Sequence, residues 1–310
     1  MRSKSFSTSW HGRYAARVVL EIGGALWLAA CTITACASAP PPAEVYATSA
    51  SKPKERAADS SPAASPDQLS ARYAKGDRKF DGLKLHGAEL SGANLGAASF
   101  RGADLSGADL RAAMLESSDF SEADLREAHL DGAKLTGAAL RGAQLTKATL
   151  VDTVLWTADL SGATLDGARL DQANLQHADL TEAKLRSASL KISLLETAVL
   201  RGADLSGANL TQATLPDADL EGAKLNQANL SQADFGRAHL RGADFGGALL
   251  CRTNFVNTDL ASAKIEGARY GKTTTFPPSF DPKARGAIED ACCDATDFER
   301  ACGWKRPAIN

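Results

Sequence analysis

A strict five-residue period from residue 80 to residue 270 constrains the fold more than any other feature of this chain. Every fifth residue there is large and apolar, from Phe80 through Leu160 to Tyr270, at all 39 positions and without an insertion. Two residues earlier, between 88 and 268, alanine occupies 32 of 37 positions. The unit is therefore alanine, commonly Asp or Asn, a large apolar residue and two variable residues, as in 103–107.

A period of five fits neither regular secondary structure. Five residues advance about 500° along an α-helix, so the leucines would occupy every face of the helix. On a flat strand, an odd period places successive leucines on opposite faces. Glycine also occupies 16 of the 38 positions two residues after the large residue, which favours a corner there. The pattern predicts a chain that turns once per pentapeptide, with alanine and leucine inside and the other residues facing water.

The phenylalanines indicate how many pentapeptides make one coil. Phe80, Phe100 and Phe120 are twenty residues apart, as are Phe235 and Phe255. Four pentapeptides per coil predict an all-β, four-sided solenoid of about ten coils, stacked ~4.8 Å apart into a rod of roughly 45–50 Å. The core residues singled out from this pattern are Phe100, Phe120, Leu160, Leu180 and Leu205.

This A(D/N)LXX pattern resembles the pentapeptide repeat family over residues 80–270. The resemblance implies a right-handed quadrilateral β-helix, the pentapeptide repeat solenoid, with short capping segments. It implies little about activity. The best-understood members of the family resemble duplex DNA in shape and charge and bind DNA gyrase, and most others have no assigned role.

The first 36 residues resemble a secretory signal with a lipidation site. Residues 1–17 carry four basic residues and no acid, and residues 18–39 are mostly apolar and small. Leu28-Ala29-Ala30-Cys31 is the closer match to a lipobox, whereas cleavage before Cys36 would leave four further cysteines in the mature chain. We expect acylation of Cys31 or Cys36. A plain secretory signal cut after Ala39 and an uncut leader are the alternatives.

Residues 37–79 are expected to form a tether and an N-terminal cap. Six of the eleven prolines fall within 37–66, among many Ala and Ser residues, and such a composition cannot bury a core. A short helix between Asp67 and Tyr73 is expected to close the first coil.

Residues 271–310 are expected to form a C-terminal cap. The stretch 275–282 resembles the segment that closes the last coil in many family members, and Phe276 and Phe280 are suited to cover it. In an oxidising compartment, Cys292, Cys293 and Cys302 indicate a small disulfide cap, with Cys302 bonded to one of the other two. We expect Cys251 to point outward and either to pair with these cysteines or to remain free.

The sequence contains no pattern typical of catalysis or of a bound cofactor. The five histidines are scattered without metal-ligand spacing, and no phosphate-binding loop or nucleophile motif is present. We therefore expect no enzyme activity, no cofactor and no metal site. Trp156 follows a large repeat residue, so it is expected to be exposed and is a candidate contact residue.

The charges predict a surface neutralised by its own ion pairs. Residues 80–270 carry 18 basic and 25 acidic residues, a net charge of −7. On the face that contains Phe100, the residues directly before and directly after the large ones each form a column, with neighbours twenty residues apart. These two columns predict that each Arg lies next to an Asp of the following coil. These columns contain Arg101, Arg141, Arg201 and Arg241, and Asp119, Asp159, Asp179, Asp219 and Asp259. A DNA mimic would instead need an uninterrupted row of acids.

These features favour a non-enzymatic exported lipoprotein that serves as a rod-like scaffold or protein-binding module. We expect it in the cell envelope, periplasmic or at the outer membrane or cell surface, and attached to the membrane through its lipid. Secretion is the alternative location. The partner is a protein that the sequence does not name, a homodimer is allowed, and no nucleic acid is expected. The alternative function is a cytoplasmic DNA mimic that binds a type II topoisomerase such as gyrase.

Overall fold

The structure, a computed structural model, describes residues 65–294. The signal region with Cys31 and Cys36, the tether up to residue 64, and Cys302 lie outside the described residues. The elements begin with helix α1, Pro66–Ala74. Strands β1, Arg269–Tyr270, and β2, Ile288–Glu289, follow near the end, with short 3-10 helices at Lys283–Arg285 and Ala291–Asp294. No helix within 65–294 is both long and apolar enough to cross a membrane.

Between α1 and β1 the chain forms a β-helix with four faces. Parallel bridges join residues twenty apart, such as Asp159 with Asp179, and this spacing confirms four pentapeptides per coil. In a typical unit, Leu160 N–H donates to Asp179 O at 2.7 Å and Gly162 N–H to Thr181 O at 2.8 Å. Because each pentapeptide bonds the next coil twice, the backbone is satisfied without long strands.

The interior is made of the alanines and the large residues of the repeat. All five residues singled out as core, Phe100, Phe120, Leu160, Leu180 and Leu205, are buried. The rings of Phe100 and Phe120 stack with centroids 5.1 Å apart, as expected for positions one coil apart on one face. Where a hydroxyl replaces the alanine, it bonds to the backbone, as Thr153 Oγ1 does to Leu130 O at 2.9 Å. Such a bond compensates the burial of a polar group.

The corner of each pentapeptide has left-handed backbone. The second residue after the large one has a positive φ at 37 of 38 positions, including 21 residues that are not glycine. The exception is Ser262. On the face that contains Ser262, the described bridges do not continue from His239 to Asp259. The coil is therefore irregular near residue 260, and this irregularity affects one of the predicted ion pairs.

Both ends of the β-helix are covered. A capping box between Ser65 and Gln68 starts α1, which buries Leu69 and donates from Tyr73 Oη to Gly96 O at 2.9 Å. The helix thus matches the expectation for Asp67–Tyr73. At the other end, Phe276 stacks on Phe255 with centroids 5.6 Å apart, and Phe280 stacks on Phe276 in turn. β2 pairs in parallel with β1 and adds a partial layer on one face.

Candidate protein-interaction surface

One face of the β-helix carries most of the exposed apolar side chains. The face whose inward residues run from Leu95 through Leu155 to Phe255 is called the Leu155 face. Six large apolar residues are exposed among those described, and four lie on this face, with a fifth at its corner. Four of these exposed residues lie between positions 114 and 194, and half-buried Val154 lies among them. We call these five residues the apolar surface: Met114, Val154, Trp156, Ile192 and Leu194.

Three members of the apolar surface occupy a position where Asp or Asn usually stabilises the turn. Before many of the large residues, a side-chain oxygen accepts the backbone N–H two residues later, as Asp159 Oδ1 does from Ser161 N–H at 3.0 Å. Met114, Val154 and Leu194 have no such oxygen. A hydrogen bond of this kind contributes ~0.5–1.5 kcal/mol. The stability of the turn therefore gives no reason for apolar residues at these three positions.

Ile192 is the least expected residue of the apolar surface. It occupies the corner before Leu194, with a φ of 59°, and its side chain is 50% exposed. Left-handed backbone costs an L-residue ~1–2 kcal/mol, and a β-branched residue is a true outlier there. Glycine would avoid this strain, and only half of the isoleucine is buried. Because left-handed backbone recurs at nearly every corner of the repeat, the unusual feature of position 192 is its exposed aliphatic side chain.

Trp156 is held in place by a neighbour from the next coil. Its indole is 43% exposed and meets the His177 ring edge-on, with centroids 5.8 Å apart. His177 Nδ1 in turn lies 2.5 Å from Thr197 Oγ1. Beside them, Gln176 donates to Glu196 at 2.9 Å. An exposed aromatic ring that is already oriented loses little entropy on contact, and such residues commonly dominate protein interfaces.

The charged face around Phe100 shows the predicted ladder of ion pairs. Three arginines of this face each form an ion pair with the Asp that lies in the next coil, in the neighbouring column. The distances are 3.1 Å for Arg101–Asp119, 2.7 Å for Arg141–Asp159 and 2.6 Å for Arg201–Asp219. The prediction is wrong for Arg241, which lies 4.0 Å from Glu221 of the preceding coil. The irregular backbone near Ser262 accounts for this difference, because Asp259 no longer continues the column.

Acids on other faces are also paired with arginine. Arg111 Nε donates to Asp109 Oδ1 at 2.8 Å, and its Nη2 contacts Oδ2. These hydrogen bonds lower the pKa of Asp109 to about 2. Arg126–Asp124 repeats this arrangement, and Arg186–Asp166 and Arg237–Asp217 join neighbouring coils. The described ion pairs thus involve eight of the 25 acidic residues of the repeat.

One cysteine pair agrees with an alternative expected for Cys251 and excludes one of the two pairings expected for Cys302. Cys251 is bonded to Cys293, 42 residues later. Cys251 leaves the outer side of its coil, as expected, but it is buried together with Leu249 and Cys293. Cys293 is therefore not the partner of Cys302 in this structure. A bond between Cys302 and Cys292 remains a prediction, because Cys302 and the side chain of Cys292 are not described.

Within residues 65–294, the His, Cys, Asp and Glu residues form no group of three that could hold a metal ion. Trp156 was predicted from the sequence as a contact residue, whereas Met114, Val154, Ile192 and Leu194 were not. A signal for them was present, since residues 114, 154 and 194 occupy one column at multiples of twenty.

The family model described as "Pentapeptide repeats" matches eight copies, over residues 79–116, 118–156, 158–191, 195–232 and 233–269. No curated protein matches the chain.

Several solved structures are similar over part of the chain. HetL, involved in heterocyst differentiation regulation in the cyanobacterium Nostoc, is 36% identical, with 65% of this chain and 93% of HetL covered and a TM-score of 0.31. A trypsin-treated form of QnrB1, a plasmid-mediated fluoroquinolone resistance protein, is 17% identical over 57% of this chain and 92% of its own, with a TM-score of 0.48. A protein of the Arabidopsis thaliana thylakoid lumen is 37% identical over 38% and 71% of the two chains, with a TM-score of 0.16.

Proposed function

The chain belongs to the pentapeptide repeat family, whose members fold as right-handed quadrilateral β-helices, and from this premise we propose that it is a non-enzymatic protein-binding rod of the cell envelope. The repeat of residues 80–270 would supply about ten coils, a rigid rod of roughly 45–50 Å. The binding surface would be the apolar surface on the Leu155 face. The partner would be a protein that offers an apolar patch.

The observation that carries this proposal is Ile192, an exposed β-branched residue in left-handed backbone beside exposed Leu194. Neither residue improves the fold. Ile192 strains its corner, and Leu194 replaces the turn-stabilising Asp or Asn. Ile192 and Leu194 lie two residues apart and are both exposed, and exposed apolar side chains close to one another mark a contact surface. Trp156, two coils away, provides the aromatic anchor that protein interfaces favour.

The envelope location rests on the leader and on the disulfide. The proposed lipid attachment is at Cys31 or Cys36, after the basic and apolar leader. The Cys251–Cys293 bond supports export, because structural disulfides persist mainly in oxidising compartments. Secretion without a lipid remains the alternative location.

The ion pairs argue against the alternative function, a cytoplasmic DNA mimic. A mimic needs acids that are free to imitate phosphates. On the Phe100 face, Asp119, Asp159 and Asp219 each bind an arginine of the adjacent coil. Each exposed pair contributes only ~0–1 kcal/mol to stability, but the pairs interrupt the row of negative charge.

The envelope proposal is tested on the N-terminus of the native protein. Mass spectrometry should find a diacylated cysteine at position 31 or 36, and radiolabelled palmitate should label the wild type but not the Cys31→Ala, Cys36→Ala double variant. An intact Met1 on the purified protein would contradict export. The binding proposal is tested separately, by the cross-linking experiment that closes the Discussion.

A further inference from the structure

The outer side of the Leu155 face alternates between apolar and polar side chains. In the column directly before the large residues, parallel bridges join in succession Met114, Lys134, Val154, Asn174 and Leu194. Neighbours in this column are one coil apart, ~4.8 Å, so its three apolar residues follow one another at ~9.6 Å. We call these five residues the row, and its length is about 19 Å.

The two polar residues of the row carry hydrogen-bond donors. Lys134 is exposed and forms no ion pair among the described residues. Asn174 Oδ1 accepts the Gln176 N–H at 3.1 Å, whereas no hydrogen bond from Asn174 Nδ2 is present in the part of the chain that the structure describes. A molecule that lies along the row therefore meets donors between its apolar contacts.

An acid lies beside each end of the row. Glu116 is next to Met114, and Glu196 is next to Leu194, in the column directly after the large residues. Within residues 65–294, neither carboxylate forms an ion pair with a basic side chain. The arginine-bound acids of the Phe100 face differ from them in this respect. Both ends of the row thus attract positive charge on a partner.

The row is too small for an interface between two folded surfaces. Its column and the neighbouring one are ~6.6 Å apart, so over five coils they present a strip on the order of 200 Å². A stable interface buries ~800 Å² on each partner. A second copy of this chain, packed antiparallel and centred on Val154, would also bring Glu116 opposite Glu196 of the other copy, and like charges repel. The strip therefore suits one extended segment of a partner.

The spacing of the row selects the conformation of that segment. In a polyproline II helix, side chains three residues apart lie on one edge at ~9.3 Å, which is close to the ~9.6 Å of the row. A β-strand places side chains of one face ~6.8 Å apart and is out of register at the second contact. An α-helix advances ~10.5 Å in seven residues, and its backbone groups are already hydrogen-bonded to one another. The polyproline II backbone has no internal hydrogen bonds, so its carbonyl groups are free to accept from Lys134 and Asn174.

We propose that the apolar surface binds a proline-rich segment of a partner protein in the polyproline II conformation, lying lengthwise along the row. Apolar residues at positions i, i+3 and i+6 of the segment contact Met114, Val154 and Leu194. Trp156, beside Val154, supplies the exposed aromatic ring on which such segments commonly dock. This proposal rests on the protein-binding function and adds the chemistry of the partner.

The flanking residues of the segment follow from the charges. A basic residue next to the first or the last apolar contact pairs with Glu116 or Glu196. The carbonyl groups between the contacts accept hydrogen bonds from Lys134 Nζ and Asn174 Nδ2. The recognised pattern is therefore three apolar residues spaced by two prolines each, with Lys or Arg at the ends.

The first test compares labelled synthetic peptides on the full-length wild-type protein by fluorescence anisotropy. The matched probe is KLPPLPPLK, and the control KPLPLPLPK has the same composition with its leucines two residues apart. A second control, ELPPLPPLE, reverses the terminal charges. We expect the matched probe to bind at least tenfold more tightly than either control. Equal affinities, no binding of the matched probe, or tighter binding of an alanine-based helical peptide with leucines seven residues apart would overturn the proposal.

The second test places the matched probe on the row. Glu116→Lys with Glu196→Lys should weaken its binding at least tenfold, because both ends then repel its lysines. The control, Glu122→Lys with Glu182→Lys, makes the same change of charge at exposed corners beside the Phe100 face and should change binding less than twofold. Circular dichroism verifies that both double variants are folded. Equal losses in the two variants would overturn the proposal.

Failure of this proposal is distinguishable from failure of the protein-binding function. A protein adduct formed in cells from position 156, without binding of KLPPLPPLK to the purified protein, overturns only the proline-rich chemistry of the partner. The absence of any adduct from position 156 contradicts the protein-binding function itself.

Discussion

The Trp156 indole meets His177 of the next coil edge-on, with ring centroids 5.8 Å apart and the planes at 89°. This contact orients an exposed ring without burying it. Trp156→Ala is therefore expected to change the free energy of unfolding by no more than about 0.5 kcal/mol. Leu160→Ala, one repeat along and fully buried, should cost ~2–5 kcal/mol through the lost burial and the cavity. Chemical denaturation of the two variants measures the difference, and a larger loss for Trp156→Ala would contradict its assignment to a contact surface.

Replacing Ile192 with glycine is expected to stabilise the protein. Glycine adopts the left-handed backbone of this corner freely, so Ile192→Gly should raise the free energy of unfolding by ~1 kcal/mol. Gln172→Gly, at the same corner one coil earlier, is the matched control and should give a smaller gain, because Gln is not β-branched. A melting temperature that falls with Ile192→Gly would show that the isoleucine serves the fold.

The inward and outward positions of the repeat can be compared at two residues from adjacent pentapeptides. Ala163 is fully buried, whereas Ser161 is half-buried on the outer side of the coil. Ala163→Trp should prevent regular stacking of neighbouring coils, because the interior has no space for an indole. Ser161→Trp should change stability only slightly. Circular dichroism and thermal unfolding measure both variants, and equal melting temperatures would contradict the assignment of the interior.

The Arg111–Asp109 pair gives the stability a defined pH dependence. Hydrogen bonds from Arg111 lower the pKa of Asp109 to about 2, from an ordinary value of ~3.9. Because the folded-state pKa is depressed, this contribution is fully present above pH ~4 and is lost as the pH falls towards 2. We expect Arg111→Gln to be less stable than wild type at pH 6, with the difference shrinking between pH 4 and 2. A difference of constant size over that range would contradict the assignment.

A control separates the ion pair from the loss of a positive charge. Lys134→Gln removes an exposed cation on the Leu155 face, away from Asp109. It should not reproduce the pH dependence of Arg111→Gln. NMR titration of the Asp109 carboxyl gives the direct measurement, and its pKa should rise in Arg111→Gln but not in Lys134→Gln.

The regular part of this molecule was predictable because one period controls both the core and the coil. Once twenty residues per coil is inferred from the phenylalanines, every outer column follows, including the pairing of Arg141 with Asp159. The exceptions come from places where the period ends. Arg241 pairs with Glu221 instead of Asp259 because the coil near Ser262 is irregular. Cys251 bonds to Cys293 because the chain reverses after β2.

The candidate surface was only partly predictable for a different reason. Reading the columns of the Leu155 face would have found residues 114, 154 and 194 together. Ile192 stands in a different column, at the position where the glycines of other repeats predict a corner. Only the φ of 59° shows that this corner is unfavourable for isoleucine. The repeat pattern does not identify the binding partner, because the contact residues are the ones that depart from the pattern.

The most direct test of the central claim is photo-cross-linking in cells from the apolar surface. A diazirine amino acid replaces Trp156 in the full-length chain, and the control carries it at Glu221, an exposed residue at the same repeat position on the Phe100 face. The account predicts one discrete protein adduct from position 156, weakened by Ile192→Gly with Leu194→Asn, and no such adduct from position 221. The same adducts from both positions, or none from position 156, would contradict it.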